Sequence, residues 1–428
     1  MISAFDLIAL LLCLSAAFGW FNRRFVHLPH SIGLLTMGLA ASLLLVLAEV
    51  ALPGTHVSDE LTQAMQQIDF TAVVMNGMLA FLLFAGALNV DFFALRRRAL
   101  PVAVLALVGT VISTFVVGGL FWLAAQAIGL TMPLAWALVF GALISPTDPV
   151  AVLSTLKSVK LPAAIEVEMQ GEALFNDGVG IVLFTLLVGL ALNGGANGAA
   201  GGEQVDAGRI ALHLLREAGG GLALGAATGY LAYRAMRAID DFPVEVLITL
   251  ALVAGTYALA QKLGLSGPLA MVAAGLLIGT KAPRDAMSAQ TENYVTALWT
   301  LIDEVLNSVL FLLIGLEVLV LSFDAISLVA AAAAVPIVLL GRLVAVSTPL
   351  LLFRWTDMLS VRNVPFLTWG GLRGGISVAL ALALPNGPAK PAILAATYAV
   401  VLFTVIVQGS TLGMVARRTL PPAKDTPT

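Results

Sequence analysis

Ser145-Pro146-Thr147-Asp148-Pro149-Val150 lies inside an apolar stretch, 134–154, that is otherwise long enough to cross a bilayer. Pro149 has no N–H to offer the carbonyl of Ser145, and Pro146 has none for Ala142. Two carbonyls are thereby left without helical partners at membrane depth, beside Thr147 and Asp148. Freed backbone is tolerated there only where it is buried in protein or lines a watery cavity. A kinked helix with a capping aspartate is the plain alternative. The pair of prolines bracketing Thr-Asp favours an unwound element of an ion site.

The rest of the chain is equally apolar. Of its 428 residues, 60% are hydrophobic and 11% charged, with a mean hydropathy of +0.99. A soluble domain carries about one-quarter charged residues, so this composition belongs in lipid. The net charge of −3 points to no partner, and neither a nucleotide fingerprint nor a nucleic-acid-binding stretch is present. The single cysteine, Cys13, excludes an intramolecular disulfide and a cysteine metal cage. The first apolar segment has no Lys or Arg before it, unlike a signal peptide, and is expected to be a span.

Apolar runs predict thirteen spans: 3–20, 31–51, 70–90, 101–127, 134–154, 170–193, 209–233, 244–262, 266–280, 294–320, 325–352, 364–385 and 391–413. Basic residues then set the orientation. Arg23, Arg24, Arg96, Arg97, Arg98, Lys157, Lys160, Arg234, Arg237, Lys281, Arg284, Arg354, Arg362, Arg417, Arg418 and Lys424 all follow odd-numbered spans. Those are sixteen of the twenty-two Lys and Arg residues, and the loops 52–69 and 194–207 have none. The expected arrangement is N-terminus outside and C-terminus cytoplasmic.

A charge at the bilayer centre costs about 2.5–3.5 kcal/mol on insertion scales, so such residues should face a cavity or a partner. The candidates are Asp148, Glu172, Asp177, Asp303, Glu304, Glu317, Arg342 and Arg373. In span 6, Glu172 and Asn176 share a helical face, whereas Asp177 points about 100° round. Two carboxylates aimed differently suggest two roles. One reading pairs both structurally with Arg342 and Arg373; ion chemistry requires that at least one stay free to titrate. Span 12 reads Gly370-Gly-Leu-Arg-Gly-Gly-Ile-Ser377, and two glycine pairs around one arginine predict a break. A glycine-rich packing surface is the alternative.

Spans 5 and 12 are seven apart and therefore run in opposite directions. With spans 1–6 and 8–13 as repeats and span 7 between them, the two interruptions occupy equivalent positions of an inverted repeat. Paired Gly/Pro-interrupted spans point to a transporter's midplane site. Gly264-Leu-Ser-Gly267 has the short pattern of intramembrane serine proteases, which also need a histidine base at membrane depth. His27, His30 and His56 lie in loops and only His213 sits near a span end, so a helix start after a tight turn is expected.

SPTDPVAV at 145–152, GEALFNDGVGIVLF at 171–184, NSVLFLLIGLE at 307–317 and GGLRGGISVALAL at 370–382 closely resemble the sodium/proton exchangers of the first monovalent cation:proton antiporter family. FLLFAGALNVDFFALRR at 81–97 and GLSGPLAMVAAGLLIG at 264–279 resemble it too. The resemblance implies an all-α polytopic membrane fold with two crossed broken helices, and a homodimer in the bacterial inner membrane. The implied organisation is scaffold and dimerisation helices at 1–98 and 244–320, an ion-translocating core at 99–193 and 321–415, a connecting helix at 194–243 and a short cytoplasmic tail at 416–428. Carried over by motif, Asp177 is the carboxylate that binds cation or proton, Asp148 and Thr147 belong to the span 5 crossover, and Asn176 steadies it. Glu172 would pair with Arg342, and Arg373 matches the arginine of the second broken helix. Some members add an acidic ligand from the third span, where this chain offers Asn76.

The expected activity is exchange of sodium for protons, with lithium or potassium as alternative cations, and no enzymatic chemistry or cofactor. The Asn176-Asp177 pair resembles the electroneutral branch, hence one proton per cation. The cation would be bound by hard oxygens from Asp177, Thr147 and freed span 5 carbonyls. A cation or proton channel built from the same polar residues is the rival of a different class.

Overall fold

The computed structural model describes residues 4–51, 73–148, 152, 161–194, 207–318, 324–352 and 363–420, and contains no strand among them. In chain order the helices are α1 (Ala4–Phe21), α2 (His30–Ala51), α3 (Leu79–Leu88), α4 (Phe92–Arg97), α5 (Ala99–Ala127) and α6 (Leu134–Ile144). There follow α7 (Ala163–Gly194), α8 (Ala207–Met236), α9 (Phe242–Leu263), α10 (Gly267–Asp285) and α11 (Ala289–Glu317). The last are α12 (Ala325–Leu352), α13 (Val364–Trp369), α14 (Gly375–Leu382) and α15 (Lys390–Thr419).

Helix occupies every one of the thirteen stretches expected from hydropathy. Among the described residues, six helices could each cross a membrane by length and composition alone: α5, α7, α9, α11, α12 and α15. The pair α1 and α2, bent by 107° between them, passes that test jointly. The helices that fall short do so for physical reasons. α6, α13 and α14 are cut short by the breaks, and α8 bears Arg209, Arg216, Glu217 and Arg234.

Element ends follow local chemistry. Span 6 starts earlier than hydropathy suggests, at Ala163, because the Pro162 carbonyl accepts from the Ile165 and Glu166 N–H groups and opens the helix. This brings Glu168 onto α7. Gly264, at φ 64°, ends α9 in the left-handed region, and the Ser266 side chain accepts from Leu269 N–H to start α10. That tight turn accounts for the Gly-Leu-Ser-Gly sequence without any catalytic role. Asp91 caps α4 and Ser288 caps α11 in the same way.

In lipid there is little hydrophobic drive between helices, so close backbone approach matters. α8 presents Gly221, Gly225 and Gly229 one turn apart against Ser266, Ala270 and Ala274 of α10. A methyl at Gly229 would already stand 3.2 Å from the Ala274 Cα. One apolar core joins side chains of α6, α7, α12, α14 and α15 with α2 and the C-terminal half of α11. A second gathers α3, α8, α9, α10 and the N-terminal half of α11 around Trp299. The polar residues of interest lie where these clusters meet.

Candidate ion-binding site

α6 stops at Ile144, and Ser145–Asp148 leave the helical path. Gly370–Gly374 separate α13 from α14 in the same manner. The two interruptions cross: the Asp148 backbone N–H donates to the Leu372 carbonyl at 2.8 Å. Proline on one side and glycine on the other produce the breaks, and each break satisfies part of the other's backbone.

Arg373 binds the crossing together. Its side chain is wholly buried, with Nη1 donating to the carbonyls of Ser145 and Pro146, the latter at 2.8 Å. Its own backbone N–H donates to Thr404 Oγ1 at 3.2 Å. The guanidinium thus caps the carbonyl end of α6, where the helix dipole is negative. This differs from the expectation that the Ser145 carbonyl is offered to a cation. Sequence shows that a carbonyl has lost its helical donor; only the fold supplies the arginine that replaces it.

Asp148 sits at the opposite pole, against the N-terminus of α14. A Cβ at Gly374 would collide with its carboxylate and stand 2.8 Å from its Cβ, so glycine is required there for the approach. Thr147 Oγ1 accepts a hydrogen bond from Asn176 Nδ2 at 2.8 Å, which ties the broken segment to α7. The next residue, Asp177, is 6% exposed. It opens into a cavity of about 70 Å³ whose polar lining includes Thr147, Asp148, Asn307 and Ser377. That volume has room for several waters. Among the described residues no arginine or lysine forms an ion pair with Asp177.

Glu172 behaves differently. Arg342 donates through Nη1 to Oε1 and through Nη2 to Oε2, the second contact at 2.9 Å, while Arg342 Nε donates to the Leu367 carbonyl at 3.2 Å. Gly371 leaves room for this guanidinium, since a methyl there would lie 2.8 Å from Nε. The arrangement is a bidentate buried pair. Of Glu172 and Asp177 on α7, the first is therefore matched to an arginine and the second, among the described residues, is not. A pocket of about 10 Å³, room for about one water, lies on the Glu172–Arg342 side of Thr147 and Asp148.

The structure also brings in residues that the sequence reading passes over. Glu168, one turn before Glu172, is buried and faces Arg98 at 3.3 Å; its spacing of four was the available signal. Asn307 and Ser377, inside the quoted motifs, line the Asp177 cavity. Asp303 accepts from Asn307, and Glu304 is exposed on α11, whereas Glu317 is buried at its end. The side chain of Asn76 lies outside the described residues.

The sodium/hydrogen exchanger transmembrane model matches residues 9–418. The chain belongs to this family. It is 42% identical to the Na(+)/H(+) antiporter NhaP of Pseudomonas aeruginosa, over 96% of each chain. It is 35% identical to the Na(+)/H(+) antiporter NhaH of Halobacillus dabanensis, over 90% of each chain. Among solved structures, the sodium proton antiporter MjNhaP1 of Methanocaldococcus jannaschii superposes with a TM-score of 0.72 at 20% identity, covering 97% of this chain and 98% of that one. The exchanger is thus a multi-pass membrane protein with the antiporter fold, in a family of transporters.

Proposed function

We propose that this exchanger is a sodium/proton antiporter in which cation and proton compete for Asp177. The observation that carries the reading is the asymmetry of α7: Glu172 is held by Arg342, whereas Asp177, five residues on, opens into a cavity at the crossing of two broken helices with no arginine partner among the described residues. The names of its relatives favour sodium over potassium. Thr147, fixed by Asn176, adds a hydroxyl oxygen beside the carboxylate. Oxygen ligands of this kind suit a hard cation.

Either a proton or a sodium ion neutralises Asp177, and the core then crosses with its site uncharged. An empty, ionised site meets the cost of a bare charge in a low-dielectric path, so it stays behind. Coupling follows from that difference. Arg373 offsets the negative carbonyl end of α6 and the positive N-terminus of α14 offsets Asp148 in either loaded state, so Asp148 need not cycle. One proton then moves per cation.

In this reading 1–98 and 244–320 form the scaffold and dimer contact, 99–193 and 321–415 the moving core, 194–243 the connector and 416–428 a cytoplasmic tail. The homodimer lies in the bacterial inner membrane with thirteen crossings, N-terminus outside and C-terminus cytoplasmic, as the alternation of basic loops supports. Sodium and protons are substrates, and no resident cofactor takes part. The test is Asp177→Asn in proteoliposomes: the variant keeps the side-chain shape and should fold, yet show no sodium-driven proton flux. Flux at more than a few per cent of the unmodified protein would refute the assignment, and a linear, non-saturating conductance would favour a channel.

A further inference from the structure

We propose that Asn307 supplies a cation-binding oxygen from the α11 side of the cavity, an inference that rests on the antiporter reading of Asp177. Asn307 is 5% exposed and lies one turn after Asp303 on α11. Its Nδ2 donates to both the Asp303 carbonyl, at 2.9 Å, and Asp303 Oδ1, at 3.0 Å. Turning the amide over would set Oδ1 against those two acceptor oxygens, so the network itself orients the group. Both N–H bonds are committed on the Asp303 side, and Oδ1 points away from it, accepting no hydrogen bond among the described residues.

Asn307 and Asp177 line the same cavity from different helices. A buried asparagine in the middle of an apolar helix has poor helix propensity and an amide oxygen to satisfy. Here that oxygen is an acceptor only, neutral and hard, which is the ligand type sodium takes. The carboxylate supplies charge, and Thr147 and Asn307 supply uncharged oxygens from two different segments of the lining. Because Asn307 adds no charge, it contributes to cation affinity without altering the proton count.

The experiment titrates sodium against the thermal unfolding of the purified full-length protein, with choline holding ionic strength constant. In parallel, the KM for sodium is read in proteoliposomes. Asn307→Ala and the near-isosteric Asn307→Leu should each raise the half-saturating sodium concentration about five- to tenfold, the scale of one oxygen ligand exchanged for water. The sodium KM should rise in step, with kcat and the pH profile of unfolding without sodium left in place. Asn307→Ser, which retains a shorter oxygen and is the fallback if the larger changes do not fold, should give a smaller shift in the same direction. A half-saturating concentration within twofold of the parent in any folded oxygen-free variant overturns the inference alone. No sodium response in the unmodified protein overturns it together with the antiporter reading.

Discussion

The Glu172–Arg342 pair offers a quantitative test of how the core is held. The two side chains are only 2% and 7% exposed, so removing either strands its partner out of water. Breaking a buried pair typically costs about 3–5 kcal/mol. Arg342→Ala leaves the Glu172 carboxylate buried without its guanidinium and should cost about 3–5 kcal/mol. Loss of the Nε bond to the Leu367 carbonyl adds about 1 kcal/mol. Glu172→Gln strands the buried guanidinium in the same way and should cost about 3–5 kcal/mol. The double variant buries no charge and should lose about 1–2 kcal/mol, leaving a coupling of several kcal/mol.

Equilibrium unfolding of the purified full-length protein in micelles measures each single variant and the double. Additive single effects would refute the reasoning.

Three further outcomes are expected. With one proton moved per sodium, the flux-reversal point in proteoliposomes should be indifferent to a potassium/valinomycin diffusion potential once potassium is excluded as a substrate; a net charge would couple at about 2.3 kcal/mol per 100 mV and displace it. Gly374→Ala puts a methyl into the space of the Asp148 carboxylate, so stability should fall by about 1–3 kcal/mol and exchange should be lost; normal melting and flux would show that the approach is not needed. Thr147→Val leaves the Asn176 amide without its acceptor, which should cost about 1–3 kcal/mol and raise the sodium KM; an unchanged KM in folded protein would remove Thr147 from the ion's surroundings.

Much of the architecture is legible from residue order, because the bilayer imposes its rules on single segments. A segment either carries enough apolar length or it does not, and described helix falls within each of the thirteen apolar stretches. The breaks were also readable: prolines at 146 and 149 cannot give the N–H groups a helix needs, and the glycines at 370, 371, 374 and 375 leave a helix poorly supported. Residue order by itself likewise put Glu172 and Asn176 on one face of a helix and Asp177 about 100° round from them. It could not say which acid meets which base, since Arg342 is 170 residues from Glu172 and Arg373 is 228 from Ser145. Tertiary packing decided that Arg342 neutralises Glu172 while Arg373 is spent on backbone carbonyls, leaving Asp177 without a basic partner among the described residues. It also decided which freed carbonyls are capped and how the Asn307 amide turns. Those choices depend on distances between helices far apart in sequence, and no local preference of the chain encodes them.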